Sequence, residues 1–287
     1  VFSMVEADSD EVEVDDEDFT FAWRLMAGVN YAINDRTEIG IGYKFLANMD
    51  RYGITKTWLL TWEAPENEYD PSYNHASVRT GPDGPMPFTR VLSYIERAPD
   101  RFVPGYAPDP RRPDAIDRLH AAIEIYGVRL YGELKVRMMY DDLDALRLYR
   151  FCGEKSLPVT VHIDYPLAHG RKYPRPDWWY GGGFDAFERA VRACPETVFL
   201  GHAPGFWAHI SGDDQFDKVA YPDGKVAPGG KLLDALRANP NLYCDLSAGS
   251  GIRAMSRDPN SPGNSSSSSR TASCMAATIS ITSTRSF

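Results

Sequence analysis

The chain lacks most of the short motifs that reveal an enzyme's chemistry. Its triple glycine, Gly181-Gly182-Gly183, is followed by no GKS or GKT, so it is not a phosphate loop. No GxSxG nucleophile elbow and no GxGxxG dinucleotide fingerprint occur, which removes the commonest serine-hydrolase and nicotinamide-enzyme signatures. Cysteine is scarce: Cys152, Cys194, Cys244 and Cys274 are widely spaced with no CxxC pair. That spacing argues against a cysteine zinc cage or a disulfide framework and for free thiols in a reducing compartment, so a cytoplasmic location is expected. No apolar run approaches the roughly 20 residues of a membrane-spanning helix. The first residues also lack the basic, apolar and small-residue zones of a signal peptide.

Positive charge is missing from the first eighteen residues, which hold nine acids and no Lys or Arg. They account for the whole formal net charge of −9, since the other residues balance at 31 basic against 31 acidic side chains. No basic cluster stands clear of acidic neighbours, so nucleic acid is not an expected partner. Segment 1–18 reads as an acidic, disordered stretch.

Residues 19–45 read by twos. Phe19, Phe21, Trp23, Leu25, Ala27, Val29, Tyr31 and Ile33 share one face, Asn34-Asp35-Arg36 turns, and Ile39, Ile41, Tyr43 and Phe45 continue the alternation. This is a hairpin with one aromatic face, and it resembles strands of an outer-membrane β-barrel. A soluble hairpin packed on a core fits the pattern equally. Two strands cannot close a barrel, so this segment alone is not a membrane protein.

From residue 46 the period changes. Helical patterns cover Leu46–Tyr52, Phe88–Arg97, Asp114–Tyr126, Asp141–Glu154, Phe184–Cys194 and Gly230–Ala238. Strand patterns cover Ile54–Trp62, Phe102–Gly105, Val128–Val136, Pro158–Asp164, Thr197–His202 and Asn241–Ser247. Alternation of six strands with helices predicts an α/β fold built on a parallel sheet, with an eight-stranded barrel and a doubly wound sheet both open. In residues 260–287, fourteen of twenty-eight positions are Ser or Thr, without an acid or a lysine. Segment 259–287 therefore reads as a low-complexity, disordered tail, and a shifted reading frame near Pro259 is one account of it.

Chemistry-bearing residues gather at the ends of predicted strands. His162 closes Val159-Thr160-Val161-His162 just before Asp164, His202 closes Phe199-Leu200-Gly201-His202, and Glu133 and Lys135 share a face in Gly132-Glu133-Leu134-Lys135. In a parallel α/β barrel the carboxyl ends of strands form the active-site mouth. A histidine there can bind a metal or act as a base near neutral pH. Trp178-Trp179, before the triple glycine, can form an aromatic lid or anchor a loop with buried indoles. His209 can line the pocket or cap a helix, and Asp245 can reach the pocket or bond backbone. His75, His120 and His169 are assigned to surface or structural roles.

The segments Met49-Asp50-Arg51-Tyr52-Gly53-Ile54, LPVTVHID, FLGHAPGFW and NLYCDLSAGSG resemble the amidohydrolase-related family of metal-dependent hydrolases and decarboxylases, over about residues 46–258. The resemblance implies a TIM-like (β/α)8 barrel carrying a divalent metal, commonly zinc, at its strand mouths. It implies that His162 is the metal ligand of the family's fifth strand and that His202, on the sixth, is a ligand or the catalytic base. Lys135 or Glu133 falls where some relatives place a metal-bridging group. Glu133, Lys135, Asp164, Trp178 and Trp207 are then the expected substrate-binding residues. Two departures stand out: no His-x-His occurs anywhere, and the Ser-rich tail stands where the family's closing strand brings an Asp.

The resulting expectation is an incomplete barrel, strands two to seven, preceded by a foreign hairpin and followed by a non-native tail. Its parent activity is hydrolysis or decarboxylation of a small organic acid, lactone or amide. Catalytic zinc normally takes three protein ligands, so weak metal binding and little turnover are expected of this chain. A homo-oligomer is compatible with the sequence. The rival readings are an outer-membrane barrel fragment and a non-catalytic binding remnant.

Overall fold

Short strands alternating with amphipathic helices carry the fold. The computed structural model describes residues 46, 49–51, 53–65, 86–164, 181–213, 215–216, 218–219 and 221–258. The acidic run, the hairpin of 19–45, the tail of 259–287 and Trp178 all lie outside the described residues.

In chain order the elements are β1 (Thr57–Leu59), α1 (Phe88–Arg97), β2 (Phe102–Pro104), α2 (Ala115–Tyr126), β3 (Tyr131–Leu134), α3 (Leu143–Glu154) and β4 (Val159–His162). There follow α4 (Gly183–Ala193), β5 (Phe199–His202), the single turn α5 (Pro204–Trp207), a 3-10 turn (Ala208–Ile210), α6 (Lys231–Ala238), β6 (Leu242–Cys244) and α7 (Ala248–Ser256). All strand pairs are parallel: β1 with β2, and β3-β4-β5-β6 in that order. A parallel bridge between Gly105 and Leu130 joins the two sheets. Among the described residues the sheet does not close into a barrel, which agrees with the incomplete α/β barrel expected. No helix among them is long and apolar enough to cross a membrane.

The six strands lie inside the predicted segments but are shorter. Their flanking residues leave the ladder at the strand ends, and the carboxyl ends of β3, β4 and β5 carry Glu133, His162 and His202. β4 and β5 are buried at every position, as parallel strands with both faces covered are. Tyr131, Tyr149, Phe187, Phe199 and Phe206 are among the largest fully buried side chains. Tyr149 meets Tyr131 edge-on at 6.5 Å and Phe199 at 5.2 Å, so rings from α3, β3 and β5 interlock.

Two local features bear on the site. The triple glycine has φ of 88°, 81° and 78°, a left-handed run that turns the chain into α4; side chains with a Cβ resist that conformation. Helix α7 carried no recognisable periodicity, because Ala-Gly-Ser-Gly is a weak helix start. Tertiary contacts hold it instead. The Arg257 guanidinium, just past its end, bonds the Asp213 carboxylate at 2.8 Å and the Asp223 carbonyl at 2.8 Å.

Gly201, one residue before His202, faces the ring of Phe206, and a Cβ there would sit 2.1 Å from Phe206 Cε2. The β5 strand and the α5 turn can approach this closely only without a side chain. Gly201→Ala is expected to destabilise the chain by about 1–3 kcal/mol through overpacking, read as a lowered urea midpoint at constant m-value. A midpoint equal to wild type would show that Phe206 repacks freely.

Candidate metal centre

Strand register brings the two histidines together. His162 and His202 are direct partners across the β4–β5 pair, so both imidazoles leave the same end of the sheet, with centroids 5.6 Å apart. Glu133 comes from the neighbouring β3. Its backbone is fixed from the β1 side, where the Thr61 amide donates to Gly132 O (3.1 Å) and the Glu133 amide donates to Thr61 O (2.8 Å). One oxygen, Glu133 Oε1, then lies 2.5 Å from His162 Nδ1 and 3.7 Å from His202 Nε2. The ligand atoms of the three residues all fall within 4.8 Å of one another.

This donor set fits a divalent cation. Two imidazoles and a carboxylate supply the N/O ligands that such metals accept, and all three side chains are at most 12% exposed. Zinc–ligand bonds near 2 Å would place tetrahedral donors roughly 3.3 Å apart. The 3.7 Å separation is close to that, whereas the 2.5 Å contact is a hydrogen bond that a cation would replace.

A second carboxylate stands behind His202. Asp245, just past β6, places Oδ2 3.1 Å from His202 Nδ1. The Ser247 amide donates to Asp245 Oδ1 and its hydroxyl donates to Oδ2, each at 2.8 Å. The Asp245 amide donates to Gly201 O at 2.9 Å, and Trp207 Nε1 donates to the Asp245 carbonyl at 2.9 Å.

The electrostatics follow from burial and these neighbours. Burial alone would raise the Glu133 pKa, but His202, His162 and then Lys135 outweigh it and hold the carboxyl well below the usual range. Asp245 is likewise lowered against its burial, by the charge and hydrogen bond of His202 and by the Ser247 bonds. Both are carboxylates at neutral pH and can only accept hydrogen bonds.

The other expected site residues fall as follows. Lys135 is buried beside the centre, its Nζ 4.0 Å over the Trp62 ring, while Trp62 Nε1 donates to the Lys135 carbonyl at 3.0 Å. Asp164, two residues past His162, is buried. Trp207 is 2% exposed, with its indole N–H committed to the Asp245 backbone, so the structure places it as a clamp on that loop. His209 is brought to an aromatic pocket instead, tilted 4.7 Å from Phe184 and 4.5 Å from Phe216. His120 lies on the surface near Glu124, and His75 and His169 lie outside the described residues. Asp245 bonds both the His202 ring and backbone amides or carbonyls around it. Ser247 and Thr61 carried no signal of their own, although the Asp-x-Ser spacing after an apolar strand marks a turn that can hold a carboxylate.

Burial draws the His209 pKa down from 6.5 to about 4, with Lys231 adding to the shift and Asp185 opposing it. Between those values the unfolded chain binds the proton and the folded one does not, so stability is full above about pH 6.5 and falls as pH drops toward 4. In His209→Gln this contribution is expected to disappear, giving a flatter stability profile over that range by denaturant titration. An unchanged slope would mean that the imidazole stays accessible to protons in the folded chain.

No family model matches the chain, and no curated protein matches it. Solved structures do. The chain is similar to an uncharacterised TIM-barrel protein from Bordetella bronchiseptica, at 15% identity and a TM-score of 0.46, covering 76% of this chain and 65% of that one. It is similar to a dihydroxybenzoic acid decarboxylase from Polaromonas sp. JS666, with bound manganese and 2-nitroresorcinol, at 17% identity and a TM-score of 0.41, covering 75% and 71%. It is also similar to a 2,6-dihydroxybenzoate decarboxylase from Rhizobium, at 16% identity and a TM-score of 0.40, covering 74% and 72%.

Proposed function

We propose that residues 46–258 are the body of a metal-dependent hydrolase or decarboxylase of the amidohydrolase-related type, acting on a small organic acid, lactone or amide. The observation that carries this reading is the convergence of Glu133, His162 and His202 from three adjacent strands, with ligand atoms within 4.8 Å. Three protein donors are what a catalytic site requires while keeping a position for substrate. Glu133 supplies the third donor, which the two strand-end histidines alone do not.

Each residue has a task in this reading. Glu133, His162 and His202 hold a divalent cation, with zinc the first candidate. A bound cation supplies Lewis-acid polarisation of a substrate oxygen or lowers the pKa of a water. Lys135, held on the Trp62 ring, presents an ammonium that orients an anionic substrate group. Asp164 offers a hydrogen-bond acceptor at the end of β4. Trp178 and Trp207 were expected to contact substrate; Trp207 serves better as the clamp on Asp245. Turnover by this chain is reduced, because its sequence lacks both the His-x-His pair and the closing Asp.

Titration calorimetry of the full chain with zinc and with manganese tests the centre. One cation per chain is expected, with binding weakened at least tenfold in His162→Ala and in Glu133→Gln. Stoichiometric uptake unaffected by either substitution would place the metal elsewhere. The loaded chain is then offered panels of small carboxylic acids, lactones and amides, with CO2 release and hydrolysis as readouts. Slow, metal-dependent turnover abolished in His202→Ala is expected. Tight metal binding with no turnover on any panel would favour the non-catalytic binding remnant.

A further inference from the structure

The side chains behind His202 are arranged more elaborately than packing needs. We propose that Asp245, oriented by Ser247, is a positioning residue that keeps the His202 ring proton on Nδ1 and so leaves Nε2 as the atom turned toward Glu133 and the cation. This deepens the metal-centre reading above and rests on it for the role of Nε2.

Three observations carry it. First, Nδ1 faces acceptors. Asp245 Oδ2 lies 3.1 Å away. Ser247 Oγ lies 3.5 Å away, and its single hydrogen is committed to Asp245 Oδ2 at 2.8 Å. A hydroxyl so engaged shows Nδ1 a lone pair, so both neighbours call for an N–H on that nitrogen. Second, the two carboxylate oxygens are not equivalent. The Oδ1 place receives the Ser247 backbone amide at 2.8 Å, and that amide can only donate, so whatever atom fills the place must be an acceptor. Third, Ser247 occupies the N-cap position of α7 but makes no side-chain cap bond. A serine there ordinarily bonds an amide of the first turn. Here its hydroxyl is turned back to the carboxylate. The Asp245 backbone is itself held by Gly201 O and by the Trp207 indole.

This asymmetry makes one substitution diagnostic. In Asp245→Asn the side-chain oxygen must occupy the Oδ1 place, because the Ser247 amide donates there. The NH2 group then takes the Oδ2 place and donates to His202 Nδ1. The proton moves to Nε2, opposite Glu133 Oε1, and the lone pair turns away from the metal centre. The change is nearly isosteric, so the fold is retained while the tautomer inverts.

The test uses the full-length chain. Long-range 1H–15N spectra of the metal-free protein read the state of His202 Nδ1, and competition with a chromophoric chelator reads zinc affinity. In wild type Nδ1 is expected to carry a proton; in Asp245→Asn it is expected to be bare. Zinc affinity should fall about 10- to 100-fold in Asp245→Asn and by a smaller factor in Ser247→Ala, with melting temperatures close to wild type. A bare Nδ1 in wild type, or an Asp245→Asn variant with wild-type zinc affinity, would overturn the proposal. If Asp245→Asn fails to fold, Ser247→Ala decides: unchanged zinc affinity there overturns the role given to Ser247. Absence of zinc uptake by the wild type removes the metal-centre reading alone, because the Nδ1 spectrum reports the tautomer without metal.

Discussion

One carboxylate oxygen, Glu133 Oε1, sits between two imidazoles at the ends of adjacent parallel strands, and the architecture around it serves to make that placement tolerable. Removing an ionised carboxylate from water costs several kcal/mol even after relaxation. The cost is offset here because His162 and His202 are both within reach and Lys135 stands nearby. The histidines can face the same atom only because β4 and β5 pair without slippage, so that strand position 162 meets 202. A register shift of one residue would send one ring to the opposite face. The grip of Thr61 on both sides of the Gly132–Glu133 link holds the third partner at the same height.

Outside that atom lies a support built largely from groups that face no substrate. Gly201 lets Phe206 press against β5, and this seats the α5 turn that carries Trp207. Trp207 in turn holds the Asp245 carbonyl, and Asp245 holds His202. The chain of contacts thus runs from an aromatic core to a ring nitrogen. On the other flank Trp62 bonds the Lys135 backbone and lies under its ammonium, so two indoles fix the two edges of the centre. Arranged this way, the site's geometry depends on packing, since Phe206 is linked to the imidazole through its neighbour Trp207 and then Asp245.

Charge divides along the chain in the same way. In the described body several acids pair with bases, as Asp109 does with Arg111 and Asp213 with Arg257. The nine acids in excess of bases belong to the first eighteen residues of the sequence. The low isoelectric point therefore describes a terminal segment and does not make the metal-centre surface acidic.

Much of the fold was legible in advance because periodicity is a local property: apolar spacing alone marks β1 to β6 and α1 to α4 and α6, and it places His162 and His202 at strand ends. Strand lengths and helix α7 were not legible, because Ala248–Ser256 has little propensity of its own and is held by Arg257 against a distant loop. Glu133 and Lys135 shared a face on sequence grounds, yet nothing local showed which of the two would meet both imidazoles. Nor could sequence show that Asp245, forty-three positions after His202, would reach its ring. Residue types, periods and strand-end positions are determined by the sequence because neighbours along the chain create them. Which atom faces which nitrogen is decided by register and packing between β3, β4, β5 and β6, and these exist only in the tertiary structure.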